Sequence, residues 1–268
     1  MAWIRRISGL SPIEKEGFYR ILIPPSLYRR FGVNPLSLCD ENGVRVVRFF
    51  CPEGDRTCLV EMKLPGVDDP VFSTQLSDST DLTQIDWDFV VVNDPASPKF
   101  NTQIDQDGRD TLFGWASRNL EEEEKAFSAG LFPGQARKGF GLTGEVIQVL
   151  EFFCRIFDIK SIRLEALFYH NAITYERYGF SYFTGYGLMK KIHEEFLPGG
   201  QLFKRLDGKT PFRNPEFAQT VRGRSWAIHV GILKEADEEI LEEGWASPVM
   251  YRMVGKPRGM ITFPNPTY

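Results

Sequence analysis

Residues 142–169 constrain this chain more than any other stretch. Leu142, Val146, Ile147, Leu150, Phe153, Cys154 and Phe157 recur at helical spacing, with Glu145, Gln148, Glu151 and Arg155 on the other side. Such a stripe buries one face of a helix against a larger apolar surface. The stretch "SIRLEALFY" follows at once, and its Ile162, Leu164, Ala166 and Phe168 alternate with the period of a strand. A helix running directly into a strand predicts helices layered on a sheet, the α/β class in its mixed α+β form.

The flanking segments extend this reading. Residues 1–80 read as a β-rich subdomain. "FYRILIP", "GVRVVRFF", "CLVEMKL" and "PVFSTQL" are short runs of β-branched and aromatic residues, divided by turn sequences such as "DENG", "PEGD" and "PGVDD". "LYRRFGVNP" reads as a helical turn or two. "WDFVVVND" reads as a buried strand because residues 89–92 are continuously apolar. A long polar loop over residues 94–110 comes next.

"SRNLEEEEKAFSAG" then predicts a helix capped by Ser117 or Asn119 and stopped at Gly130, with Glu121 to Glu124 as its solvated face. Further on come a short helix over residues 170–180, a helix surface at 192–196 and a strand "SWAIHVGIL" at 225–233. A polar helix in "KEADEEILEEGW" and an irregular C-terminal arm end the chain. The expected division is 1–80, 81–233 and 234–268.

Composition removes several functions. The chain has 268 residues, 42% of them hydrophobic, and a net charge of -4, so it can build a core and lacks the basic footprint of a nucleic-acid binder. No run of about 18 apolar residues is present, and the N-terminal stretch has no apolar leader region, which predicts no membrane span and a cytoplasmic location. The three histidines and four cysteines have no metal-site spacing, so free structural thiols and no metal are expected. No G-x-S-x-G supports a serine hydrolase.

The turn before the long helix carries the candidate binding chemistry. "QARKGFGLTGE" sets Arg137, Lys138, Gly139 and Gly141 at a helix entrance. Open backbone N–H groups, the helix dipole, glycines that admit close approach and two cations together suit a pyrophosphate. A Walker loop is excluded because Phe140, not Lys-Ser or Lys-Thr, follows Gly139. "GFGLTG" matches the dinucleotide pattern G-x-G-x-x-G literally, but no apolar strand runs into the first glycine and Glu165 lies in mid-strand rather than at its end.

A third pattern extends beyond the turn. "ARKGFG", residues 136–141, is similar to the acyl-CoA loop Arg/Gln-x-x-Gly-x-Gly/Ala of the GNAT N-acyltransferases. Ala136 stands where that family has Arg or Gln, and Gln135 or Arg137 takes the place with a one-residue adjustment. The loop is followed by a long helix, a strand and a short helix ending "YERYGF", residues 175–180, which resembles the family's Tyr-Glu-Lys-x-Gly-Phe. The resemblance is best over residues 134–184 and extends loosely over 85–233.

The resemblance implies a mixed, mostly antiparallel GNAT-like sheet flanked by helices. It also implies acyl transfer from acetyl-CoA, or another acyl-CoA or pantetheine thioester, to a small-molecule or peptide amine. Gln135, Arg137, Lys138, Gly139, Gly141 and Asn171 would hold the cofactor. Tyr175 would protonate the departing thiolate, since a phenol keeps its proton at neutral pH. Asp94, Asp105, Asp107 and Glu165 are candidate bases by chain position.

The family also has a splayed strand directly before the loop. Here "LEEEEKAFSAGLF" reads as helix and leaves only "AGLFP" for such a strand. A non-catalytic binding or scaffold protein of the same fold is therefore the second reading. An enzyme resembling the autoinducer synthases and a dinucleotide-binding protein stay behind it. Homodimer formation and the identity of the acceptor stay open.

Overall fold

The computed structural model describes residues 3–80, 84–114, 116–236 and 244–268. Seven strands form one sheet: β1 (Val47–Phe50), β2 (Thr57–Met62), β3 (Phe72–Asp78), β4 (Ile85–Val92), β5 (Ser161–Glu165), β6 (Ser181–Tyr182) and β7 (Val249–Met253). Their spatial order is β1-β2-β3-β4-β5-β7-β6. The pairs β1–β2, β2–β3 and β3–β4 are antiparallel, and β4–β5 is parallel.

The helices are α1 (Trp3–Ser8), α2 (Pro12–Tyr19), α3 (Pro25–Arg30), α4 (Leu120–Ser128), α5 (Thr143–Ile156), α6 (Tyr169–Arg177), α7 (Tyr186–Glu195), α8 (Gln201–Lys204) and α9 (Val221–His229). The expected mixed, mostly antiparallel α/β fold with flanking helices is what the chain adopts. Among the described residues, no helix is long and apolar enough to cross a membrane.

The chain divides into two compact units, each discontinuous in sequence. The first holds residues 1–96, 139–164 and 251–258; the second holds 97–138, 165–250 and 259–268. These bounds differ from the expected 1–80, 81–233 and 234–268. β3 pairs with β4 over seven register positions, so residues 1–80 supply part of the same sheet as β4.

In the first unit the α5 stripe lands as its periodicity predicts. Val146, Ile147, Leu150, Phe153 and Cys154 are buried. Tyr19 stacks on Phe153, with ring centroids 6.1 Å apart. Asp78, at the end of β3, accepts hydrogen bonds from the N–H groups of Ile4 and Arg5, both at 3.0 Å, and so closes the start of α1.

"FYRILIP" is not a strand. It completes α2 and a 3-10 turn over Arg20–Leu22. The reason lies upstream, where Ser11 and Glu14 form a capping box and Pro12 opens the helix.

In the second unit α4 starts at its Asn119 cap, and Gly130 follows it at φ +86°. Glu123 departs from the expected solvated face. It is 2% exposed and pairs with Arg118 and, at 3.3 Å, with His229. Helical spacing puts position 123 above Ala126 and Phe127, which are core residues.

"SWAIHVGIL" forms the last part of α9 and the 3-10 turn Ile232–Glu235, not a strand. Thr220 caps α9, its hydroxyl accepting from the Gly223 N–H at 2.9 Å. The helix is buried almost all round, and a continuous apolar run does not distinguish a buried helix from a strand. Residues 192–196 are only partly surface, since Ile192 and Phe196 are buried and His193 contacts Arg224 at 2.9 Å. Most of the expected polar tail helix, residues 237–243, lies outside the described residues.

Candidate functional site

β4 is eight residues long, yet its parallel pairing with β5 covers only Ile85↔Ile162 and Asp86↔Arg163. Beyond Asp86 the two strands part, while β4 stays paired to β3 as far as Val92. The expectation of a fully buried strand fails here for a physical reason. Where β5 no longer pairs with it, Phe89 is 41% exposed and Val90 to Val92 are half-buried. A strand that has parted from its neighbour can take an extended ligand along that edge.

The glycine turn meets β4 at the open end of this cleft. A β-carbon on Gly139 would lie 2.5 Å from the carbonyl oxygen of Val92, so only glycine lets the turn come this close. Gly141 has φ +69° with open space beside it, and glycine serves there for conformation rather than room. α5 begins directly after, without a side-chain cap on its first N–H groups. Glu145, in its first turn, is committed elsewhere: its carboxylate accepts from the Ser26 N–H at 2.9 Å and the Ser26 hydroxyl at 2.6 Å. Phe140 packs against Phe31 and lies under the Arg30 guanidinium, 4.2 Å from the ring centroid.

Of the expected phosphate-binding side chains, Lys138 is exposed beside Gly139. Arg137 donates to the Ser97 carbonyl at 2.6 Å. The Gln135 side-chain oxygen accepts from the Phe132 N–H at 2.9 Å and shapes the turn before the glycines. No strand forms in "AGLFP". The strand that meets the turn is β4, and residues 93–138 run between the two.

The segment "HNAITYERYGF" belongs to the second unit. Asn171 serves α6 itself, its side-chain oxygen accepting from the Phe168 N–H at 3.1 Å and its amide nitrogen lying 3.3 Å from His170 Nε2. His170 is sandwiched between Phe132 and Phe168, and burial pushes its pKa down to about 3. Tyr175 packs its ring on Phe180, with centroids 5.4 Å apart, and burial pushes its phenol up to about 12. Gly179 takes φ +78° and Phe180 is fully buried, as a left-handed helix stop followed by an inward turn requires.

Sequence reasoning missed Glu176. Its carboxylate is 4% exposed and accepts from the Tyr182 hydroxyl, the Thr262 hydroxyl and, at 3.0 Å, the Thr262 N–H. It therefore pins the C-terminal arm to α6. The only sequence signal was an acidic residue inside an otherwise buried helix face.

Among the candidate bases, Asp105 accepts from the N–H groups of Asp107 and Arg109 and from the Ser117 hydroxyl, so it holds its own loop together. Asp107 is exposed and pairs with Arg109. Asp94 follows two residues after β4. Glu165 ends β5 and is not in mid-strand as expected, because the strand stops before α6 begins at Tyr169, so this objection to the dinucleotide pattern falls. A separate groove of about 670 Å³, walled by Ile23, Tyr28, Val33, Val149 and Phe152, includes no residue of β4 or of the glycine turn. Among the described residues, no three His, Cys, Asp or Glu side chains gather as metal ligands would. Comparison with family models, with curated proteins and with solved structures yields no match.

Proposed function

We propose that the chain is a GNAT-type acyltransferase, moving an acyl group from CoA or another pantetheine thioester to an amine. The observation that carries this reading is the cleft between β4 and β5. Two parallel strands pair for two residues and then part, and a glycine turn opening a long helix abuts the end of the longer one. That is the kind of splayed strand the family resemblance calls for, supplied from an earlier point in the chain. The succession of turn, α5, β5 and α6 supports the same reading.

The residues fit the cofactor at the turn. Gly139, Gly141 and the first N–H groups of α5 would hold the pyrophosphate, with Lys138 adding charge. The stretch of β4 that has parted from β5 would take the amide groups of the pantetheine arm. When bound, the cofactor supplies an activated acyl carbonyl and a thiolate leaving group. Tyr175 holds a proton on its phenol at every physiological pH, the state a general acid needs. Asp94, two residues past the end of β4, is the candidate base nearest the cleft in the chain, and one of its carboxylate oxygens accepts from the Ala96 N–H at 3.0 Å.

A second reading, a binding protein of the same fold without turnover, has its own observation. Gln135 and Asn171 spend their side-chain oxygens, and Arg137 one donor, on local structure. Release of free thiol from acetyl-CoA and longer acyl-CoAs, followed across a panel of amines, separates the two readings. Amine-dependent release supports transfer; CoA binding with no release across the panel supports the second reading.

A further inference from the structure

Cys51 and Cys58 stand across from each other at the end of the β1–β2 ladder. The register runs Val47↔Met62, Arg48↔Glu61, Phe49↔Val60 and Phe50↔Leu59, so the next positions are Cys51 and Cys58. The Lys63 N–H donates to the Val46 carbonyl at 2.8 Å, which makes 46/63 a hydrogen-bonded pair. Counting along the ladder, 51/58 is a non-hydrogen-bonded position, where Cα atoms approach to about 4.5 Å and side chains are closest. That separation lies within the range a disulfide spans. All four cysteines are free thiols.

The two thiols differ in the way a reactive pair does. Cys58 is fully buried, whereas Cys51 lies at the rim, half-exposed. The Lys15 ammonium donates to the Cys51 carbonyl at 3.3 Å, which holds a cation beside the rim thiol. The other groups facing the pair are Glu16 and Tyr19 of α2. A hydrogen bond from Cys58, helped by Lys15, lowers the Cys51 thiol to about 7, while burial pushes Cys58 up. Thiolates, not thiols, are the nucleophiles, so Cys51 attacks and Cys58 resolves.

We propose that Cys51 and Cys58 form a redox-active dithiol that reduces hydroperoxides and closes to a cross-strand disulfide. The Cys51 thiolate attacks the terminal peroxide oxygen; the O–O bond breaks, the alcohol leaves with a proton and Cys51 becomes a sulfenic acid. Cys58 sulfur then attacks Cys51 sulfur; the S–O bond breaks and the hydroxyl leaves as water with the Cys58 proton. Two thiols and one hydroperoxide thus give one disulfide, one alcohol and one water. The product staples the turn over residues 51–58 at the outer edge of the sheet, and a dithiol or glutathione-type reductant reverses it.

The test uses the full chain with hydrogen peroxide at neutral pH, followed by alkylation and peptide mass mapping. The expected result is a 51–58 cross-linked peptide lacking two hydrogen atoms, formed faster than Cys39 is oxidised, because Cys51 has a cation beside it and a second thiol across the ladder. Cys58→Ser should stop at a Cys51 sulfenic acid trapped by dimedone, and Cys51→Ser should leave Cys58 unmodified. Oxidation of Cys51 no faster than Cys39, or a Cys51 sulfenic acid in the wild type that persists without a 51–58 link, overturns the proposal.

Discussion

The carbonyl oxygen of Val92 occupies the space into which a β-carbon on Gly139 would project, 2.5 Å away. Forty-six residues of chain, 93–138, separate these two positions. The contact welds the end of β4 to the turn that opens α5 and fixes where the cleft between β4 and β5 ends. It also distinguishes the two glycines of the motif, because Gly139 is required for space and Gly141 for its left-handed backbone.

That distinction can be measured. Gly139→Ala must push β4 and the turn apart, and overpacking of this sort costs about 1–3 kcal/mol. Gly141→Ala meets no atom and pays only for its positive φ, about 1 kcal/mol. Urea denaturation of both variants should rank Gly139→Ala as the less stable. Equal stabilities would mean the Val92 contact carries no constraint.

Tyr175→Phe keeps the ring on Phe180 and removes only the hydroxyl. Loss of a general acid typically lowers turnover about a hundredfold or more, with CoA affinity unchanged. Because burial holds the phenol near 12, activity between pH 6 and 10 should show no descending limb from Tyr175. Full activity in Tyr175→Phe would leave the residue as packing alone.

Glu176 predicts a pH signature in stability. Burial raises its carboxyl above the usual carboxylate range, so the folded chain holds the proton more tightly than the unfolded chain does. That contribution is fully present below the unfolded value of about 4.5 and is lost as pH rises through the folded value. Glu176→Gln, which keeps an acceptor for Thr262, should therefore gain stability relative to the wild type as pH is raised from 4 to 8. A constant difference between the two across that range would contradict the buried-carboxyl account.

The N-terminal segment should prove indispensable. β4 draws its continuous pairing from β3, and a chain beginning at residue 82 leaves that edge and the α5 stripe uncovered. Circular dichroism and proteolysis of the shortened chain should report loss of cooperative folding. A stable, cooperatively melting product would restore the division at residue 80.

What was legible in the sequence was local. The α5 stripe, the Asn119 cap and the Gly179 stop each depend on residues within a turn or two of one another and formed as read, whereas the β5 alternation holds for Ile162 and Leu164 and ends at Glu165, before Phe168 caps α6. What was misread depended on context. "SWAIHVGIL" is a short, largely apolar run that fits a strand or a buried helix, but Thr220 starts a helix before it begins. The hydrogen bond that Asn171 accepts within α6 was also not legible, because its partner, the Phe168 N–H, is a backbone group that side-chain patterns do not reveal. The cleft was invisible for the same reason, since Val92 and Gly139 are joined by folding and separated in sequence by the whole of residues 93–138.

Calorimetric titration of the full chain with CoA, wild type against Lys138→Glu, tests the central claim most directly. The account predicts saturable binding to the wild type at one site. It also predicts affinity reduced by about tenfold or more in Lys138→Glu, on the scale of one charge-assisted phosphate contact, with unchanged circular dichroism. No heat with CoA in a wild type that binds NAD or FAD would contradict it and assign the glycine turn to a dinucleotide instead.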